Sequence, residues 1–202
     1  MGVRMGMTTA RNTADKRGLL LDAAERIIVN KELSSLTVDD VTVAAGVAKG
    51  TFYLYFQSKS HLVAALQERL VERLIAQQEL LLSRLPEDDW VGRLEMWIVE
   101  MINAYMINSH LHDALFAHAS GAKDVQTGVS AANRHLLMLS ALLSGGRDAG
   151  VFSIDRPKIN AMLLYGAIHG MLDYVVHHDK TIPQDTVIEE MCEFGRKLVG
   201  AH

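Results

Sequence analysis

Leu36-Thr37-Val38-Asp39-Asp40-Val41-Thr42-Val43-Ala44-Ala45-Gly46-Val47-Ala48-Lys49-Gly50-Thr51-Phe52-Tyr53-Leu54-Tyr55-Phe56 decides the fold. The stretch reads as two short helices joined by a glycine turn. Thr37 is placed to cap the first helix, and Asp40, three residues on, suits both a capping box and the positive end of the helix dipole. Val38, Val41 and Ala45 recur at helical spacing and give a narrow apolar stripe. Ala45-Gly46-Val47 then breaks the run, because Gly46 supplies the left-handed backbone that a tight inter-helix turn needs. The second helix carries a lysine, a threonine and two tyrosines. This is helix-turn-helix grammar, in which the second helix enters the DNA major groove.

Working outward, Ala45 to Lys59 (AGVAKGTFYLYFQSK) resembles the signature of TetR-type, tetracycline-repressor-like transcriptional regulators, and the likeness runs from about Asp15 to Leu66. Two positions depart from that pattern. Thr42 stands where a small apolar residue is usual, and Ala48 where a serine often caps the recognition helix. Lys49, Thr51 and Tyr53 project from the early recognition helix, and Gly50 lets its backbone approach the bases closely. Amides at the start of the preceding helix, with Thr37 as cap, are placed to hold a phosphate. The resemblance implies that Tyr55 gives its hydroxyl to a phosphate, that Phe52 and Phe56 lock the helix into a small core, and that Lys59 is a phosphate-contacting lysine.

Composition sets the frame. The 202 residues suit one or two domains with a substantial core, and 49% hydrophobic with 22% charged residues fits a globular chain. No uninterrupted apolar run reaches the roughly 20 residues that span a bilayer, and the N-terminus lacks the apolar core of a secretory signal. A single cysteine, Cys192, fits a reducing cytoplasm and a buried helical thiol. The net charge of −4 hides an asymmetry. Residues 1–60 hold eight Lys and Arg against six Asp and Glu, a balance of +2 that leaves −6 for the remainder. The basic surplus lies beside the reading helix, as nucleic-acid contact requires.

The remaining pattern is helical throughout, so an all-α chain is expected. Residues 1–12 are read as a flexible N-terminal arm, with Arg4 and Arg11 able to reach a neighbouring groove. A helix-turn-helix DNA-binding domain of three helices occupies 13–60, and an effector-binding and dimerisation domain occupies 61–202. From Thr13 a bracing helix carries Leu20, Ala23, Ala24, Ile27 and Ile28. A long helix opens at Ser58 and runs to Leu85, where Pro86 stops it. Further helices are read at Trp90–Ser109, His110 to about Ser120, and roughly Asp124–Leu143. Gly145-Gly146 and Gly150 make the exit of the last of these. Asp155 with Pro157 signals a helix through His178, and Thr181-Ile182-Pro183 one from Gln184 to Val199.

For the C-terminal part, the resemblance implies a homodimer that encloses a small-molecule pocket and binds double-stranded operator DNA. Gly166 and Gly170, four apart with Leu163 and Tyr174 nearby, permit close helix approach, and Val187, Met191, Phe194 and Leu198 continue an apolar stripe; these eight are the dimer candidates. Trp97, Met101, Tyr105, Phe116, Leu136, Phe152, Met162 and Tyr165 are effector-pocket candidates, each also explicable as ordinary core, with His118, His169 or Tyr105 meeting a polar end. His169, Asp173 and His177 recur at i, i+4 and i+8, but a span of about 12 Å is too long for one ion, so a metal-responsive regulator is only the alternative. No serine-histidine-acid set, CxxC pair, HExxH helix or glycine fingerprint appears, so neither enzyme nor cofactor is expected. Restoring the missing cap with Ala48→Ser should stabilise the recognition helix by about 0.5–2 kcal/mol, seen as slower amide hydrogen exchange over Phe52 to Phe56. Unchanged exchange would refute the deficit.

Overall fold

The computed structural model describes residues 6–30, 33–116 and 131–201, with side chains described from Lys16 and, in the last stretch, from Asn133. Described residues form helices α1 Gly6–Asn30, α2 Val38–Ala45, α3 Lys49–Tyr55, α4 Lys59–Leu82, α5 Trp90–Ile107, α6 Ser109–Phe116, α7 Ala131–Asp148, α8 Pro157–His177 and α9 Gln184–Val199. A 3-10 turn covers Leu33–Ser35, and no strand occurs among the described residues. The chain divides into two compact units, residues 1–69 with 110–126 and residues 70–109 with 127–202.

In the first unit, α1 packs across α2 and α3. Leu20, Leu21, Ala23, Ala24 and Ile28 of α1 are buried, as are Leu36, Val41, Phe52, Phe56, Leu62 and Leu66. The local signals act as read. The Thr37 Oγ1 accepts from the Asp40 N–H at 3.1 Å, and the Asp40 carboxylate accepts from the Thr37 N–H at 3.2 Å, closing the capping box. Gly46 sits at φ +66°, where the Val47 N–H reaches the Thr42 carbonyl at 3.0 Å. Thr42, the odd hydroxyl, is buried and donates to the Asp39 carbonyl at 3.1 Å, which satisfies it. Arg69 of α4 forms ion pairs with both Asp22 (2.6 Å) and Glu25 of α1. Gln67 Nε2 donates to the Leu115 carbonyl of α6 at 2.6 Å.

The second unit is built on α5, which packs on α7, α8 and α9. Asp89 caps α5 by accepting from the Gly92 N–H at 2.9 Å. Leu94, Trp97, Ile98, Met101 and Ile102 meet Leu139 and Leu143 of α7, Leu164, Ile168 and Leu172 of α8, and Val187, Met191 and Val199 of α9. Full burial of side chains of this size contributes about 1.5–3 kcal/mol each. By length and apolarity alone α8 would suffice to cross a bilayer, with a mean hydropathy of 1.3 over its apolar window. The inward residues of α8 from Ala161 to Val175 belong instead to this core.

Several boundaries differ from the sequence reading. α1 is helical from Gly6 rather than Thr13, since no proline precedes Pro86 to stop it. α4 ends at Leu82 rather than Leu85, and α8 opens with Arg156, not Asp155, at the cap position. The break at Gly121 and the helix start at Asp124 lie outside the described residues. Gly145 and Gly146 are not an exit: α7 continues through them to Asp148. A Cβ at Gly145 would collide with the Trp90 ring, and one at Gly146 with the Phe152 ring. Only Gly150, at φ +73°, serves the turn. Gly146→Ala should therefore destabilise the protein by about 1–2 kcal/mol in urea denaturation, although alanine is the better helix former. A gain in stability would contradict the close ring packing.

Candidate functional site

α3 is seven residues long and splits cleanly by face. Phe52 and Phe56, four apart, are fully buried with ring centroids 5.6 Å apart. The opposite face leaves Lys49, Gly50, Tyr53 and Leu54 exposed, with Thr51 and Tyr55 half-buried. Among the described residues nothing within 4 Å would meet a Cβ at Gly50, so no packing among them explains that glycine. Ala48 occupies the cap position without a side-chain hydrogen bond. Val43 and Leu54, respectively 81% and 80% exposed, share the exposed α2 and α3 surface; their apolarity at solvent positions was the missed signal.

The cations around α3 are engaged. Lys49 Nζ lies 2.8 Å from Asp39 Oδ1, and this hydrogen bond, then the carboxylate charge, raises the lysine pKa. Lys59 Nζ donates to the Ser34 carbonyl at 3.1 Å, pinning the start of α4 to the 3-10 turn. Thr37 is exposed at the α2 cap, where its hydroxyl is committed to Asp40. At the start of α4, Ser58 Oγ accepts from the His61 N–H at 3.1 Å. The Gln57 N–H in turn donates to His61 Nδ1 at 3.3 Å, so an imidazole completes the cap.

Inside the second unit, part of the expected pocket set gathers around Trp97. Trp97, Met101, Tyr105 and Phe152 are buried, and Leu136 and Tyr165 pack against the same core. The rings form a connected cluster: Trp97 stacks on His135 at 4.7 Å, Tyr165 meets His135 edge-on at 5.6 Å, and His169 lies 4.3 Å from Tyr165 and 6.2 Å from Tyr105. Sequence reasoning missed Gln78 and did not give His135 a role, yet both are buried here. Gln78 Nε2 donates to the Trp97 carbonyl at 3.1 Å, which leaves its Oε1 to accept from His135 Nε2 at 2.8 Å. The neutral imidazole then keeps its lone pair on Nδ1. The Trp97 indole N–H is buried and has no hydrogen-bond partner among the described residues.

This cluster is polar but uncharged. Desolvation lowers the His135 pKa to about 4, lowers that of His169, and raises that of Tyr165 to about 12. The other pocket candidates fall elsewhere. Phe116 belongs to the first unit, and His118 lies outside the described residues. Met162 is half exposed on the outer face of α8, because it is two residues from buried Leu164 on a helix that turns about 100° per residue. A separate open groove of about 610 Å³, lined by Glu72, Ile75, Arg134, Leu137 and Met138, lies along α4 and α7.

The dimer candidates also divide. Leu163, Gly166, Gly170 and Tyr174 lie on an exposed α8 face with Ile159, Met162 and Met171, and Phe194 of α9 is exposed as well. Val187 and Met191 point into the core of their own unit and are corrected from partner contacts to internal ones, while Leu198 is half-buried at the edge of that core. His169, Asp173 and His177 do not converge. His169 Nδ1 donates to the Tyr165 carbonyl at 3.0 Å, while His177 faces Asp173 at 3.7 Å, and no group of three His, Cys, Asp or Glu placed for a metal ion occurs among the described residues. These three residues therefore do not form one ligand set for a single ion.

A histidine held neutral by the fold but free to ionise when unfolded stabilises fully above its unfolded pKa of 6.5, and that contribution is lost as pH falls toward about 4. Urea denaturation should show this decline in the wild type and a flatter profile in His135→Gln, the difference amounting to roughly 3 kcal/mol across the window. Parallel pH profiles would mean that His135 is hydrated.

Comparison with known proteins agrees with this geometry. The family model "Bacterial regulatory proteins, tetR family" matches residues 20–66. The HTH-type transcriptional regulator EthR of Mycobacterium tuberculosis is 28% identical over 152 residues, covering 72% of this chain and 68% of its own. An uncharacterized HTH-type regulator of Bacillus subtilis, YvdT, is 39% identical over 67 residues, which cover 33% of this chain and 34% of that one. The crystal structure of the transcriptional regulator FadR from Bacillus subtilis, in complex with stearoyl-CoA, shares the fold at TM-score 0.73 and 20% identity, covering 91% of this chain and 98% of that one. The capped helix-turn-helix inside residues 20–66 is therefore a domain of the tetR family of bacterial regulatory proteins, and the chain as a whole shares the fold of solved regulators of that kind.

Proposed function

We propose that the chain is a homodimeric repressor that leaves a near-palindromic operator when a small, uncharged, moderately hydrophobic effector enters the second unit. The observation that carries the DNA side is the two-faced α3: Phe52 and Phe56 hold it from behind, and Lys49, Gly50 and Tyr53 face outward. In this reading Lys49, Thr51 and Tyr53 contact bases or the adjacent backbone. Thr37, Tyr55 and Lys59 sit toward phosphates, and Gly50 permits the close approach. Such a regulator works in the cytoplasm, where the DNA is.

The exposed apolar face of α8 supports pairing. Ile159, Met162, Leu163, Met171 and Tyr174, with Phe194 of α9, are large apolar side chains exposed to solvent, and exposed Gly166 and Gly170 let a second helix come close. A twofold pair of α3 helices reads two half-sites one helical turn apart or a multiple of it, about 34–36 Å, which is why the operator is an inverted repeat.

The Trp97, His135, Tyr165 and His169 cluster supports the effector. A buried donor without a partner costs about 1–3 kcal/mol, which a ligand oxygen accepting from the Trp97 indole N–H would recover. With both histidines and the tyrosine neutral, the cluster suits a ligand without formal charge at its polar end. FadR binds stearoyl-CoA within this fold, so the fold accommodates an effector. Release requires that the effector bind the DNA-incompetent state more tightly, since equal affinity for both states shifts nothing. α4, which carries residues of both units, is the lever.

Selecting duplexes from a random pool with the purified protein should enrich an inverted repeat. Leu163→Glu should then sediment as a folded monomer and lose most operator affinity. Enrichment of a single asymmetric site, or a monomer that retains full affinity, would refute the dimeric reading.

A further inference from the structure

The exposed surface around α3 carries a carboxylate that a phosphate-binding face has no obvious use for. Asp39 lies in the first turn of α2, where the helix dipole favours negative charge. It is not needed for the cap: Asp40 completes the box with Thr37. The Asp39 main-chain carbonyl serves Thr42, while its carboxylate is directed at Lys49, with Nζ 2.8 Å from Oδ1 and 3.0 Å from Oδ2. Both side chains are more than half exposed, at 67% and 56%, so the pair lies on the surface that a duplex would meet.

We propose that Asp39 is a specificity-determining residue of the DNA interface, which withholds the Lys49 ammonium from phosphates so that a duplex of arbitrary sequence is bound with one cation fewer. The inference rests on α3 being the groove-reading helix. Affinity for non-specific DNA comes almost entirely from neutralised phosphates and the counterions they release. A lysine already paired releases none until the pair breaks. An exposed pair is weak, so it filters rather than blocks. Where the operator offers a guanine edge, its O6 and N7 accept from the ammonium and replace the carboxylate. The Lys49 pKa is raised, first by the hydrogen bond with Asp39 and then by its charge.

The test is fluorescence anisotropy of the full chain with a labelled duplex of random sequence, titrated at salt concentrations between about 50 and 200 mM KCl. Wild type, Asp39→Asn, Asp39→Ser, Lys49→Ala and the Asp39→Asn/Lys49→Ala double variant are compared, with two Asp39 variants included in case one folds poorly. Each Asp39 single variant should bind more tightly at low salt. Its slope of log affinity against log salt should steepen by about 0.9, an additional loss of about 3.5-fold over that range. The double variant should behave as Lys49→Ala. Unchanged slopes in the Asp39 variants would overturn the proposal, and so would a gain that survives Lys49→Ala, because simple repulsion then accounts for it. A wild type that binds no duplex at all would remove the groove-reading role of α3, and the Asp39 role with it.

Discussion

A helix of seven residues cannot hold itself in water, because it closes too few internal hydrogen bonds to offset the entropy of its first turn. α3 therefore depends on the burial of Phe52 and Phe56 against α1 and its neighbours, and its missing side-chain cap at Ala48 makes that dependence stronger. Two aromatic rings four residues apart fix the rotation of the helix about its own axis. Once that rotation is set, the outward placement of Lys49, Gly50 and Tyr53 follows without further contacts. The capping box at Thr37 and the left-handed Gly46 set the direction in which the chain enters the helix. The chemistry exposed on this face is a by-product of apolar burial on the other.

The second unit solves a different problem, that of keeping polar groups dry. Gln78 and His135 are buried, and they satisfy one another and the Trp97 carbonyl in a chain of neutral hydrogen bonds. A charged residue in that position would have required a counter-charge, whereas an amide and an imidazole need only correct geometry. The same economy leaves one group over, the Trp97 indole N–H. Ring stacking and neutral hydrogen bonds, not ionic contacts, hold the cluster.

What could be read from sequence was local. The Thr37 to Phe56 signals act within four residues of one another, and Pro157 and Pro183 mark the α8 and α9 starts by a rule that needs no partner. What escaped depended on distant chain segments. Gly145 and Gly146 resemble a turn, yet they accommodate the rings of Trp90 and Phe152. The apolar residues of α9 form one broad arc, and periodicity does not say where along that arc contact with its own core ends, so buried Val187 and exposed Phe194 read alike. Gln78 stands beside Gln77 in a polar-looking stretch, and only the packed structure distinguishes the buried one from the exposed one. Asp39 and Lys49 are ten residues apart, joined by a turn whose geometry spacing alone does not supply.

Arg69 has a mechanical consequence. Its guanidinium grips two carboxylates one helical turn apart on α1, so the joint resists both twist and slide. A single ion pair would act as a pivot; two make a bracket. Within the first unit the bracket ties α4 to α1, the helix against which the aromatic wedge under α3 is packed.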